Sequence, residues 1–183
     1  MAGALIKIDE FSISSAVASV ILGGGSSGSS GLNVSIDSTY DVYQIIVNNL
    51  QCTVDVEDLK CRVTESGTPN TTANYDRASK LLRVNNASAN QYADNETSWD
   101  MGTNIGTATA ESMNFIMYIF AANKSGENTF MTKEVAEFNS TPELVGQQGS
   151  GVFTVDSTVD GIQFFMETGN IDAGTFTLYG LKK

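Results

Sequence analysis

The sequence predicts an all-β protein, a two-sheet antiparallel sandwich of jelly-roll type with about nine strands. Three observations carry this expectation. Apolar residues alternate with polar ones in short runs, as in Leu59, Cys61 and Val63 against Lys60, Arg62 and Thr64. Clusters of Gly, Ser, Asn and Thr separate the runs. Charged residues make up 17% of the chain, below the usual quarter, so the stock of good helix formers is thin.

The elements follow in order. Residues 5 to 11 alternate, with Leu5, Lys7, Asp9 and Phe11 against Ile6, Ile8 and Glu10. "SISSAVASVIL" reads as a second strand of small and β-branched residues. "GGGSSGSSG", residues 23–31, is too rich in Gly and Ser to hold one backbone conformation cheaply, and reads as a flexible loop between strands; an artificial linker has the same composition. "TYDVYQIIVNNL" is a strong strand, with Tyr43, Ile45 and Val47 on one face and Val42 and Ile46 on the other. "LKCRVTES" and "ASKLLRV" follow, with "SGTPN" as a break between them.

Residues 85–112 are polar and turn-rich, with Trp99 as a large anchor, and read as an irregular region. "MNFIMYIFAAN" is apolar on both faces, which suits a central strand or one covered by a second subunit. "MTKEVAEF" fits two helical turns or an edge strand. "GVFTVD", "GIQFFME" and "TFTLYGLK" complete one domain over residues 1–183. Phe176 and Leu178 of the last strand alternate with Thr175, Thr177 and Tyr179, so both are expected in the core.

Several function classes lose support at this level. A net charge of -11 offers no footprint for nucleic acid and none for an anionic membrane. The chain has no histidine, which removes the commonest general base and metal ligand. Two cysteines cannot build a disulfide framework. Cys61 alternates with Leu59 and Val63 and is expected as a buried free thiol, with a Cys52–Cys61 bridge as the alternative. Lys7, Asp9 and Glu10 interrupt the apolar core a signal peptide needs, and no run is long enough for a membrane helix. The Asn-x-Ser/Thr triplets at Asn33, Asn70, Asn86, Asn95, Asn123 and Asn139 are therefore expected to stay unglycosylated.

Three groups could carry chemistry. "IDSTYD" and "VDSTVD" echo each other, and Asp37, Asp41, Asp156 and Asp160 could bind calcium; the same pattern makes Asx and Ser/Thr turns. Asp55, Glu57 and Asp58 could pair for glycoside cleavage, but they sit at a turn where solvated acids are ordinary. Tyr75, Tyr92 and Trp99 could form a stacking platform for a glycan, or anchor their own loops. No catalytic residue and no cofactor is expected: the serines lack a base and a Gly-x-Ser-x-Gly elbow, and the Gly/Ser tract lacks the lysine of a phosphate loop.

"IDSTYDVYQIIVNNL" near residue 40 and "VDGIQFFMETGNIDAGTFTLYGLKK" at the end resemble a group of small β-rich virion proteins of tailed bacteriophages, many from marine or cyanobacterial hosts. In that group a similar early strand and a terminal "GNI-x-x-GTF-x-LYG" hairpin frame a variable middle. The resemblance implies a non-enzymatic structural part of the particle, a capsid decoration or a tail- or fibre-associated protein. It would be made in a bacterial cytoplasm and located on the virion. Its partners would be further copies of itself, three by analogy with phage fibres, and other virion proteins. A β-sandwich module that binds host surface glycans is the alternative.

Overall fold

The computed structural model describes residues 4–85 and 87–181, so the Asn86 triplet lies outside the described residues. Among them there are thirteen strands and no helix: β1 (Leu5–Ser12), β2 (Ser19–Gly23), β3 (Val42–Cys52), β4 (Glu57–Glu65), β5 (Thr68–Pro69), β6 (Tyr75–Arg83), β7 (Ala89–Glu96), β8 (Trp99–Ile105), β9 (Met113–Phe120), β10 (Thr129–Phe138), β11 (Leu144–Phe153), β12 (Gly161–Met166) and β13 (Ile171–Leu181).

All pairings are antiparallel and form two sheets. The large sheet runs β1-β13-β3-β9-β10-β11-β6-β7. The small one runs β2-β12-β4, with β5 and β8 both on β4. Stripped to β1-β13-β3-β9 facing β2-β12-β4-β8, the sandwich has four strands a side. Among these eight strands the chain changes sheet at β1 to β2, β2 to β3, β3 to β4, β8 to β9, β9 to β12 and β12 to β13. This is jelly-roll topology. The five strands beyond these eight are insertions, which brings the total above the expected nine. β5, β6 and β7 lie between β4 and β8, and β10 and β11 lie between β9 and β12. Of these, β10, β11, β6 and β7 widen the large sheet beyond β9.

The core forms between the sheets. Val20, Leu22, Leu59, Cys61, Val63, Ile162 and Phe164 of the small sheet meet Tyr43, Ile45, Val47, Phe115, Met117, Phe176 and Leu178 of the large one. Phe164 sits at its centre, 5.7 Å from the Phe115 ring and 5.4 Å from that of Phe176. Burial of each such side chain contributes about 1.5–3 kcal/mol. Phe176 and Leu178 are fully buried, as the alternation of the last strand requires.

Three expectations need correction. The stretch 85–112 is not irregular, since it contains β7 and β8. β7 is an edge strand bearing Asn90, Gln91, Asp94, Asn95 and Glu96, so its period has no apolar partner to reveal it. β8 does alternate, with Trp99, Met101, Thr103 and Ile105 buried. "MTKEVAEF" is neither helical nor at an edge: β10 lies between β9 and β11, with Met131, Lys133, Val135 and Glu137 turned inward. In β1 the register shifts between Lys7 and Asp9, and this bulge turns Asp9 inward, where its carboxylate accepts from the Gly23 amide at 3.0 Å. Apart from these corrections, two hydrogen bonds join the Gly/Ser tract 23–31 to β2. Ser29 N donates to Ile21 O at 2.9 Å, and Ser29 Oγ accepts from Ile21 N at 2.8 Å.

The two segments that carry the phage resemblance are neighbours. β13 pairs with β3 from Ile171 opposite Cys52 to Gly180 opposite Tyr43. Their turns interlock as well: Thr53 N donates to Asn170 O at 3.0 Å, and Asn170 N donates to Thr53 Oγ1 at 2.9 Å. Gly174, at a φ of 138°, lets the bulged β13 pass close to Leu50.

Candidate functional site

The residues singled out from sequence do not assemble into one site. Tyr75 and Trp99 are both fully buried, packed edge to face with centroids 5.1 Å apart. Trp99 Nε1 donates to the carbonyls of Asp76 and Val152. Tyr92 is 81% exposed on β7, beside Ala78 across the strand pair. Two buried rings and one on the opposite face of the sheet cannot stack on one sugar.

The acidic groups are occupied by turns. Asp37 accepts from Thr39 N at 2.8 Å and from the Tyr43 hydroxyl at 3.2 Å, and the Thr39 amide holds its carboxyl below the usual range. Asp160 accepts from Thr64 Oγ1 at 2.6 Å and from Gly67 N at 2.8 Å. Glu57 caps the Thr168 turn, and Asp58 accepts from the Asn104 amide. Asp41 lines a small cleft with Asp37, and Asp156 precedes β12. Among the described residues no group of three or more potential ligands gathers to hold a metal ion. The cysteines form no bridge. Both are buried free thiols, and burial pushes Cys52 up to about 11 and Cys61 higher still.

Two arrangements remain that could do something. The first is the outer face of the large sheet. Cross-strand register places Phe120, Phe130 and Val152 in one row and Tyr118 beside Gln44 and Thr132 in the next. Ile46 and Ile116 occupy a third row, next to Glu134 and Gln148. Farther along, Phe138 stands opposite Leu144 and Gly146 opposite Leu82. Phe130 is 50% exposed and Val84 67%, and Leu82, Phe138 and Leu144 are exposed to a lesser degree. Because Ala136 and Gly146 are small, the middle of this face sinks into a groove of about 480 Å³ bordered by Ile46, Asn48, Leu82, Asn114, Ile116 and Gln148.

The second lies beneath the same strands, on the inner side. There the widened part of the large sheet is faced by β8, and its inward residues are polar. Lys133 is buried; its Nζ donates to the carbonyls of Asp100 (2.7 Å) and Met101 (2.9 Å) and to Gln147 Oε1 (3.0 Å). Glu137, two inward positions further along β10 with Val135 between, is equally buried. Burial pushes its carboxyl up to about 7 and pulls the Lys133 ammonium down to about 8. The Thr103 amide and the Gln147 side chain lie near Glu137 and oppose that rise without reaching hydrogen-bond geometry. Both Glu137 oxygens and Gln147 Nε2 are left without partners. Sequence reading missed this row because a Lys and a Glu in a strand normally mark the wet face.

No protein-family model matches the chain, and no curated protein does. Among solved structures, a chain from the structure of infectious bursal disease virus Gt strain aligns with 98% of this chain at 10% identity and a TM-score of 0.15. This chain spans 42% of that one's length. A TM-score so low carries no argument about fold or function.

Proposed function

We propose that the protein is a non-enzymatic structural component of a tailed-phage virion, a capsid decoration or a tail- or fibre-associated protein, that works by self-assembly, as a trimer. The carrying observation is the outer face of the large sheet. Phe130, Phe138, Leu144 and Leu82 stand exposed on adjacent strands, with Val84 just past the end of β6, in a chain whose net charge is -11. Clustered apolar surface of this kind marks contact with another protein. The resemblance supports the setting, since the two segments that carry it form one paired unit, β3 with β13.

Light scattering on the purified chain tests self-assembly, with a monomer mass of 19.5 kDa as the reference. A trimer mass is expected, and Phe130→Glu with Leu144→Glu should return it to monomer. A wild-type chain that stays monomeric at high concentration, with or without particles to template it, rejects self-assembly. Immunogold labelling of particles tests the virion location separately.

The groove favours a second reading, a module for host glycans, because Asn48, Asn114 and Gln148 border it beside Ile116. Glycan-array binding that is lost in Ile116→Arg would support that reading.

A further inference from the structure

The polar row beneath β10 and β11 is placed for a covalent reaction. We propose that Lys133 and Gln147 join in an isopeptide bond between these two strands, with Glu137 carrying the proton. This goes beyond the structural role proposed above and stands whether or not that role is correct.

The geometry is specific. Gln147 stands opposite Val135 in the β10–β11 ladder, so on the inner face it lies diagonally between Lys133 and Glu137. Its Oε1 is already 3.0 Å from Lys133 Nζ. As an ammonium, Lys133 spends three protons on Asp100 O, Met101 O and Gln147 Oε1. As a neutral amine it keeps the two carbonyl bonds and turns its lone pair toward the Gln147 carboxamide. Burial favours that neutral form, and a desolvated amine is the usual form of a lysine nucleophile. The groups facing Lys133 are Asp100 on β8, Arg77 on β6, Cys61 on β4 and Glu137 on its own strand. Asp100 is engaged by Arg77 and Lys60, which leaves Glu137 as the acid with free oxygens.

The step balances with no further reactant. Lys133 Nζ attacks Cδ of Gln147 and forms the new C–N bond. Glu137 takes the proton that Nζ loses and delivers it to Nε2. The Cδ–Nε2 bond breaks, and ammonia departs. The burial that raises the Glu137 pKa suits it to hold and release a proton near neutrality. The reaction also removes two costs of the unjoined state. Gln147 Nε2, a buried donor without an acceptor, leaves the protein, and a buried ammonium becomes a neutral amide.

The test is intact-mass spectrometry of the full chain after incubation at neutral pH. The wild type should be lighter than its sequence by one ammonia. Cleavage after glutamates should release Asn128–Glu134 joined to Leu144–Glu167. Lys133→Arg should keep the full mass and give the two peptides separately. Glu137→Gln, nearly isosteric, should fold and stay unjoined or join far more slowly. A wild-type chain at full mass overturns the proposal. So does ammonia loss without the joined peptides, because a cyclised asparagine would then be its source. Joining in Glu137→Gln at the wild-type rate overturns the role of Glu137.

Discussion

The ring of Tyr40 fills the space in which a side chain at Gly180 would begin. A Cβ there would stand 2.5 Å from Cγ and Cε2 of the ring, far inside contact distance. Tyr40 in turn packs edge to face on Tyr43 at 5.7 Å. The glycine of the terminal "LYG" is thus fixed by a residue of the early "STYD" segment. Gly180→Ala should cost about 1–3 kcal/mol by overpacking. Urea denaturation reads the loss, and adding Tyr40→Ala should recover part of it, since the two sites share one space.

Phe164 touches both Phe115 and Phe176 across the sandwich. Phe164→Ala or Phe176→Ala should cost about 3–5 kcal/mol, a large share of a typical total of about 5–15. Removing residues 175–183 should abolish cooperative melting. A truncated chain that still melts cooperatively would show that β13 is dispensable to the core.

Trp99 is the chain's single tryptophan and is fully buried. Its emission should be blue-shifted and indifferent to added sugars. Trp99→Ala should lower stability by about 3–5 kcal/mol without changing any glycan affinity. Sugar-dependent quenching would mean that the ring is reachable after all.

In protein whose Lys133 is still free, stability should follow two limbs. Glu137 has a raised folded pKa, so its stabilising share is complete below about 4.5 and is lost as pH rises through about 7. Lys133 has a depressed folded pKa, so its share is complete above about 10.5 and is lost as pH falls through about 8. Denaturation midpoints across pH should fall on the first limb and rise on the second. Glu137→Gln should flatten the first limb alone.

Calcium should leave the melting temperature unchanged, because the Asp37 and Asp160 carboxylates are already spent on turn hydrogen bonds. An upward shift of several degrees that a chelator reverses would count against this.

Alternation made most of the fold legible. Leu59, Cys61 and Val63 stand against Lys60 and Arg62, and burial follows the pattern. It failed where the contrast vanished or inverted. β7 is polar on both sides because it closes an edge. β1 changes phase at its bulge, which no period can announce. β10 inverts the rule, with Lys133 and Glu137 inside and Phe130 and Phe138 outside. Both candidate sites lie on that inverted strand. The apolar outer half of "NFIMYIF" hinted at one of them. The other depends on Gln147, which is brought beside Lys133 by a ladder that sequence alone does not display.

The place of β13 between β1 and β3 sets an order of events during synthesis. A ribosome delivers β1 and β3 long before residues 171–181, and neither strand has its in-sheet neighbour on that side until then. β12, which joins β2 to β4, also comes late. Both sheets therefore stay split while most of the chain is already outside the tunnel, with open strand edges that invite mispairing. Closure must wait for contacts between residues more than a hundred positions apart, such as Phe11 with Phe176. A chaperone that shields open β edges would therefore raise the yield of this chain more than one that favours helices.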